Sequence, residues 1–131
     1  MPEHLHKKHF TLTQAQHLLP TIMPIMDELA SLKRALDERG YDIYRHQYFG
    51  GGGPNGERFF PQELVRLVEI AKAIEEYGVL VKSMEDGLID FPHIRSNGEE
   101  VYLCWKIGEK DIFFWHRIPD GFAGRKLVQE L

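Results

Sequence analysis

The sequence predicts an α+β fold: a long antiparallel helical hairpin packed with a small antiparallel β-meander of three to four strands. Two observations carry the prediction. On either side of a glycine tract, apolar residues recur every three or four positions, the spacing of one buried helix face. After Gly78 the spacing drops to two, in short runs separated by turn-forming clusters. Helices first and strands second make an α+β chain, not an alternating α/β one. All 131 residues are expected in a single domain.

The first helix opens at "TLTQ", where Thr11 and Gln14 have the spacing of a capping box. Ala15, Leu18, Ile22, Ile25, Leu29, Leu32 and Leu36 continue it as one stripe. Pro20 and Pro24 each remove an amide donor and crowd the preceding turn, so a break or kink is expected at Pro20. A kinked helix over 11–48 results if Tyr41, Tyr44 and Tyr48 extend the spacing; Gly40 is the alternative stop. "FGGGGPNG" (49–56) cannot be helical and lacks the Gly-Lys-Ser/Thr of a phosphate-binding loop, so 49–60 is expected as an interhelical loop. Over 61–77, Pro61 suits a first helical position and Gly78 a C-terminal cap. Leu64, Leu67, Val68, Ala71, Ile74 and Tyr77 form that helix's apolar face. The first stripe runs about 40 Å and the second about 25 Å. The surplus, at Ile25, Leu29, Leu32 and Leu36, predicts a homodimer seam.

Strands fill 79–118. "VLVKSM" (79–84) and "LIDF" (88–91) flank "EDG"; "EVYLCWKI" (100–107) and "IFFWHRI" (112–118) flank "GEKD". A tight turn at Gly108–Asp111 sets Ile107 opposite Ile112, Leu103 opposite His116 and Cys104 opposite Trp115. His116 then shares the core face with Val101, Leu103, Trp105, Ile107, Phe114 and Ile118. The other face, with Tyr102, Cys104, Lys106, Phe113, Trp115 and Arg117, is too aromatic for open water. The C-terminal segment 119–131 or another chain is expected to cover it.

Composition narrows the function classes. A net charge of −4 argues against a broad nucleic-acid surface, and the tyrosines among basic residues in "YRHQYF" do not outweigh it. Cys104 is the sole cysteine, which excludes an internal disulfide and a thiolate-rich zinc site, and its mid-strand place predicts inert packing. Neither a signal-length apolar core nor a membrane-length apolar run occurs, so the expected location is the cytoplasm, with no membrane partner. "HLHKKH" places His4, His6 and His9 before the first cap, where a mobile tail is expected.

"FTLTQAQHLLP", followed by "GLIDFP", "VYLCWKIGEKDIFFWH" and "GFAGR", resembles domain-of-unknown-function family 2203, small bacterial proteins without an established activity. The resemblance spans nearly the whole chain and rests on Asp90, Pro92, Trp105, Glu109, Trp115, His116, Gly121 and Arg125. It implies an uncharacterised protein rather than a known enzyme and brings no catalytic assignment; no cofactor is established by it, and a divalent metal stays open. Arg117 stands where an acidic residue would be as familiar, which weighs against a scheme needing a carboxylate beside His116.

The candidate ligand-binding residues are Asp90, Trp105, Glu109, Trp115, His116 and Arg125. His116 and Asp90 together suit a divalent metal or a proton-transfer pair, although no HxxxH or HExxH spacing accompanies them. Gly121 and Gly124 can expose amides beside the Arg125 fork, which suits an oxyanion. Each group also has a structural use: an imidazole holding a turn, and a guanidinium tying the C-terminal tail to Asp90 or Glu109. Two functions follow. One is a non-catalytic homodimeric assembly or protein-interaction module, with the aromatic sheet face receiving a partner. The other is a small-anion or metal-dependent pocket, hydrolytic in its strongest form.

Overall fold

The computed structural model describes residues 4–43 and 61–131. Helices α1 (Leu12–Glu38) and α2 (Gln62–Glu76) precede five strands: β1 (Leu80–Ser83), β2 (Leu88–Ile94), β3 (Glu100–Lys106), β4 (Phe114–Arg117) and β5 (Lys126–Leu127). The strands lie across one antiparallel sheet in chain order. The architecture is the expected α+β, with one strand more than the three to four read from the sequence. The additional strand comes from the C-terminal segment, where Leu127 pairs with Phe114 and Lys126 with Trp115. No described helix is long and apolar enough to cross a membrane.

Thr11 caps α1 as its spacing requires. Its hydroxyl accepts from the Gln14 amide at 3.0 Å, and the Gln14 side chain accepts from the Thr11 amide at 2.9 Å. The helix passes through Pro20 and Pro24 without splitting in two. Both prolines sit on the exposed side, where water can satisfy the carbonyls they leave unpaired. At the far end the expected extension to 48 gives way to a stop at Glu38. Gly40 takes φ +72°, its amide donates to Asp37 and the Tyr41 amide to Leu36, which closes a Schellman motif. Tyr44, Tyr48 and the glycine tract lie outside the described residues. Helix α2 ends in the same way at Gly78, with φ +89° and amides 78 and 79 turned back to Glu75 and Ile74.

The core joins both helices to one face of the sheet: Leu19, Ile22, Met26, Leu29 and Leu36 meet Leu64, Leu67 and Ile74, and Ile89, Phe91, Val101, Leu103, Trp105 and Trp115 complete it. The stripe expected to meet a second copy therefore packs within the chain. Leu29 and Leu36 are fully buried, and Ile25 and Leu32 are half-buried against the same core. Ion pairs Glu28–Arg66 and Arg39–Glu63 tie the helices together at their rims.

The β3–β4 register differs from expectation by one residue, which exchanges the faces. Tyr102 pairs with His116, Leu103 with Trp115 and Cys104 with Phe114. The cause is the connection. Ile112 does not pair with Ile107 across a tight turn; it is fully buried in the core, and the chain stays open from 107 to 113. Glu109 holds that loop: its carbonyl accepts from the Trp105 indole N–H at 2.8 Å, and its carboxylate from the Lys106 amide at 2.8 Å. Trp115 thus joins the helix side, and His116 turns to the outer face.

Candidate functional site

The corrected register collects polar groups on the outer face. Asp90 on β2 pairs with Cys104 on β3, and Cys104 pairs with Phe114 on β4, two residues before His116. With a period of two, the side chains of Asp90, Tyr102, Cys104, Phe114 and His116 share that face. His116 Nε2 lies 3.0 Å from Asp90 Oδ2, and His116 Nδ1 lies 2.8 Å from the Arg117 carbonyl oxygen. A carbonyl only accepts, so Nδ1 carries a proton. The Nε2–Oδ2 contact needs another, held by one partner or the other. Asp90 is 1% exposed and His116 3%. Burial works against the charged imidazole, but the Asp90 carboxylate and the Arg117 carbonyl outweigh it and raise the His116 pKa. Asp90 Oδ1 is buried without a hydrogen-bond partner.

The Cys104 Sγ, one Asp90 oxygen and one His116 nitrogen all lie within 4.8 Å of one another. Burial raises the thiol pKa strongly, the Asp90 charge adds to that, and the Arg125 charge opposes it. Cys104 therefore feels both polar pairs of this face.

The second pair is Glu109 with Arg125. One guanidinium nitrogen, Nη2, donates to both carboxylate oxygens, at 2.7 and 2.6 Å. The guanidinium carbon stands 3.9 Å from the Phe114 ring centroid and 4.7 Å from that of Phe122. Arg125 is thus sandwiched between two rings and paired to the loop carboxylate. Of the alternatives for its carboxylate partner, Glu109 is the one it takes. Gly121 has φ +64°, and the amides of Gly124 and Arg125 turn inward to Gly121 and Phe122 carbonyls, not outward to a ligand.

The candidate residues thus divide. Asp90 and His116 meet; Glu109 and Arg125 meet; both pairs sit on the outer face. Trp105 and Trp115, 1% and 2% exposed, belong to the helix side. Their indole N–H groups donate to the Glu109 and Leu127 carbonyls, which fastens the 107–113 loop and β5 to the sheet.

Sequence reasoning misses the part that three groups play here. Glu100 receives the amides of Leu5 and His6 at 2.6 and 3.0 Å, and His9 Nε2 lies 2.6 Å from the same carboxylate. Burial opposes ionisation there, but the His9 ring and the two amides bring the Glu100 pKa down to about 2. His6 Nε2 lies 2.6 Å from the Tyr102 hydroxyl, whose ring stands edge-on to His116 at 5.5 Å. The histidine-rich segment, expected as a mobile tail, is a strap over the outer face. Cys104 is the third, and its parity with Asp90 and His116 is legible only once the register is right.

Open clefts lie elsewhere. One of about 430 Å³ is lined by His6–Lys8, Glu75 and Gly78–Lys82; another of about 110 Å³ is lined by Asp86, Leu88, Lys106 and Phe122. Phe122, which lines the second, is 45% exposed, and Leu127, opposite Phe114 on β5, is 50% exposed. The Lys106 ammonium stands 5.5 Å from the Phe122 ring centroid.

A family model described as "Uncharacterized conserved protein (DUF2203)" matches residues 8–128. No curated protein and no solved structure matches the chain.

Proposed function

The chain belongs to the uncharacterized conserved family DUF2203, and we propose that it is a non-catalytic assembly module that pairs with a second copy through the outer face of its sheet. The observation that carries this reading is the exposed apolar pair of Phe122 and Leu127 beside the Arg125–Glu109 clamp. Single exposed apolar side chains are ordinary, but two large ones joined through Phe114 and Arg125 make a patch suited to a protein surface. Lys106 and Asp86 line the same small cleft beside Phe122. Mixed charge around an apolar centre is what an isologous contact needs, because each cation can meet the other copy's anion.

Helix α1 is a poorer seam, since Leu29 and Leu36 are committed to the core. An open anion-binding or hydrolytic pocket has less support. Asp90 and His116 are buried together, and the Arg125 guanidinium is already engaged with Glu109.

The test is the mass of the full chain in solution by light scattering over a wide concentration range. A dimer is expected, and Phe122→Glu with Leu127→Glu should give a folded monomer. A monomer at every concentration, or a dimer indifferent to that double change, overturns the reading.

A further inference from the structure

The outer face also carries a cluster that the assembly reading does not use. We propose that Asp90, Cys104 and His116 form a buried site for one divalent transition-metal ion of the zinc class.

The geometry points there in three ways. Ligand atoms bonded tetrahedrally to one zinc at about 2.0–2.3 Å lie about 3.3–3.6 Å apart. The three donor atoms already lie within 4.8 Å of one another, so side-chain shifts of about 1 Å bring them to that spacing. Second, the imidazole is held as ligating histidines are held: Nδ1 donates to the Arg117 carbonyl, which fixes the ring and aims Nε2 into the cluster. Third, Asp90 Oδ1 is buried without a hydrogen-bond partner, and the neighbouring Cys104 thiol offers the carboxylate only a weak donor, a costly state that a cation relieves.

The donor set selects the ion. A carboxylate, a thiolate and a neutral imidazole are mixed hard and soft donors, which suit Zn(II) or Co(II) and not Mg(II) or Ca(II). Bound as carboxylate and thiolate, the two anions cancel the ion's charge, so the buried assembly is neutral overall. Coordination displaces the thiol proton and the proton shared by Asp90 and His116 to water. The fourth position falls to Oδ1 or a water molecule. With 3% or less of each residue exposed, the ion would fasten β2, β3 and β4 together without an open site for substrate.

The experiment is a Co(II) titration of the full chain, followed by absorption, with Zn(II) competition. One Co(II) per chain is expected, with tetrahedral visible bands and a near-ultraviolet thiolate-to-cobalt charge-transfer band, all abolished by Zn(II). Cys104 is the chain's sole cysteine, so that band identifies the ligand even if every variant misfolds. Cys104→Ser should remove the band and weaken binding by about 100-fold or more. Joint replacement of His4, His6 and His9 by alanine should leave the band in place. Absence of the band at equimolar Co(II), or Co(II) binding that disappears with the N-terminal histidines, overturns the proposal.

Discussion

Glu100→Gln tests the strap over the outer face. In the wild type the Glu100 carboxylate receives two amides and the His9 ring, with its side chain 9% exposed. Its pKa falls from an ordinary 4.5 to about 2. At about 1.4 kcal/mol for each unit, the ionised contacts stabilise the folded chain by about 3 kcal/mol near neutral pH. The sign follows from the direction. A depressed carboxyl pKa gives stability that is present above the unfolded value and lost as pH falls through the folded one. Near pH 3 the same two values leave only about 1 kcal/mol. Urea denaturation should therefore find Glu100→Gln about 3 kcal/mol weaker than wild type near pH 7, with the gap narrowing to about 1 kcal/mol near pH 3. Hydrogen exchange at Leu5 and His6 should quicken in the variant. A loss below about 0.5 kcal/mol at neutral pH, the range of an ordinary surface change, would refute the strap.

Two further changes probe the sheet and its turns. His116 has a raised pKa, so its pairing with Asp90 contributes fully below about pH 6.5 and is lost as pH rises through the folded value. Wild-type stability should decline from neutral into alkaline pH, while His116→Gln should be less stable at pH 6 and flat over that range; equal slopes would contradict the pair. At Gly87, φ is +64° and an added Cβ would lie 2.2 Å from Ile107 Cδ1, so Gly87→Ala should lose about 2–4 kcal/mol in urea denaturation. A loss below about 1 kcal/mol would mean that Ile107 does not close over that turn.

The fold class was legible because helix and strand spacings differ sharply on the two sides of Gly78. Thr11 with Gln14 marked the start of α1, and Gly78 the end of α2, since capping chemistry is local. Gly40 was the better stop than Tyr48 for the same reason: a positive-φ glycine closes two carbonyls that a continued helix would need. The site was only half legible. Asp90, Glu109, His116 and Arg125 could be named, but their pairing depended on β3–β4 register, which the loop sets. Ile112 entering the core moved that register by one residue and sent Trp115 and His116 to opposite faces from those expected. Glu100 gave no signal, because its partners are 91 to 95 residues away along the chain.

Hydrogen exchange on the full chain, compared with its Phe122→Glu, Leu127→Glu double variant at the same concentration, tests the self-pairing face most directly. The account predicts slower exchange in the wild type across 113–127 and along β5, with α1 unchanged between the two. Protection concentrated on α1, or identical exchange in both proteins, would contradict it.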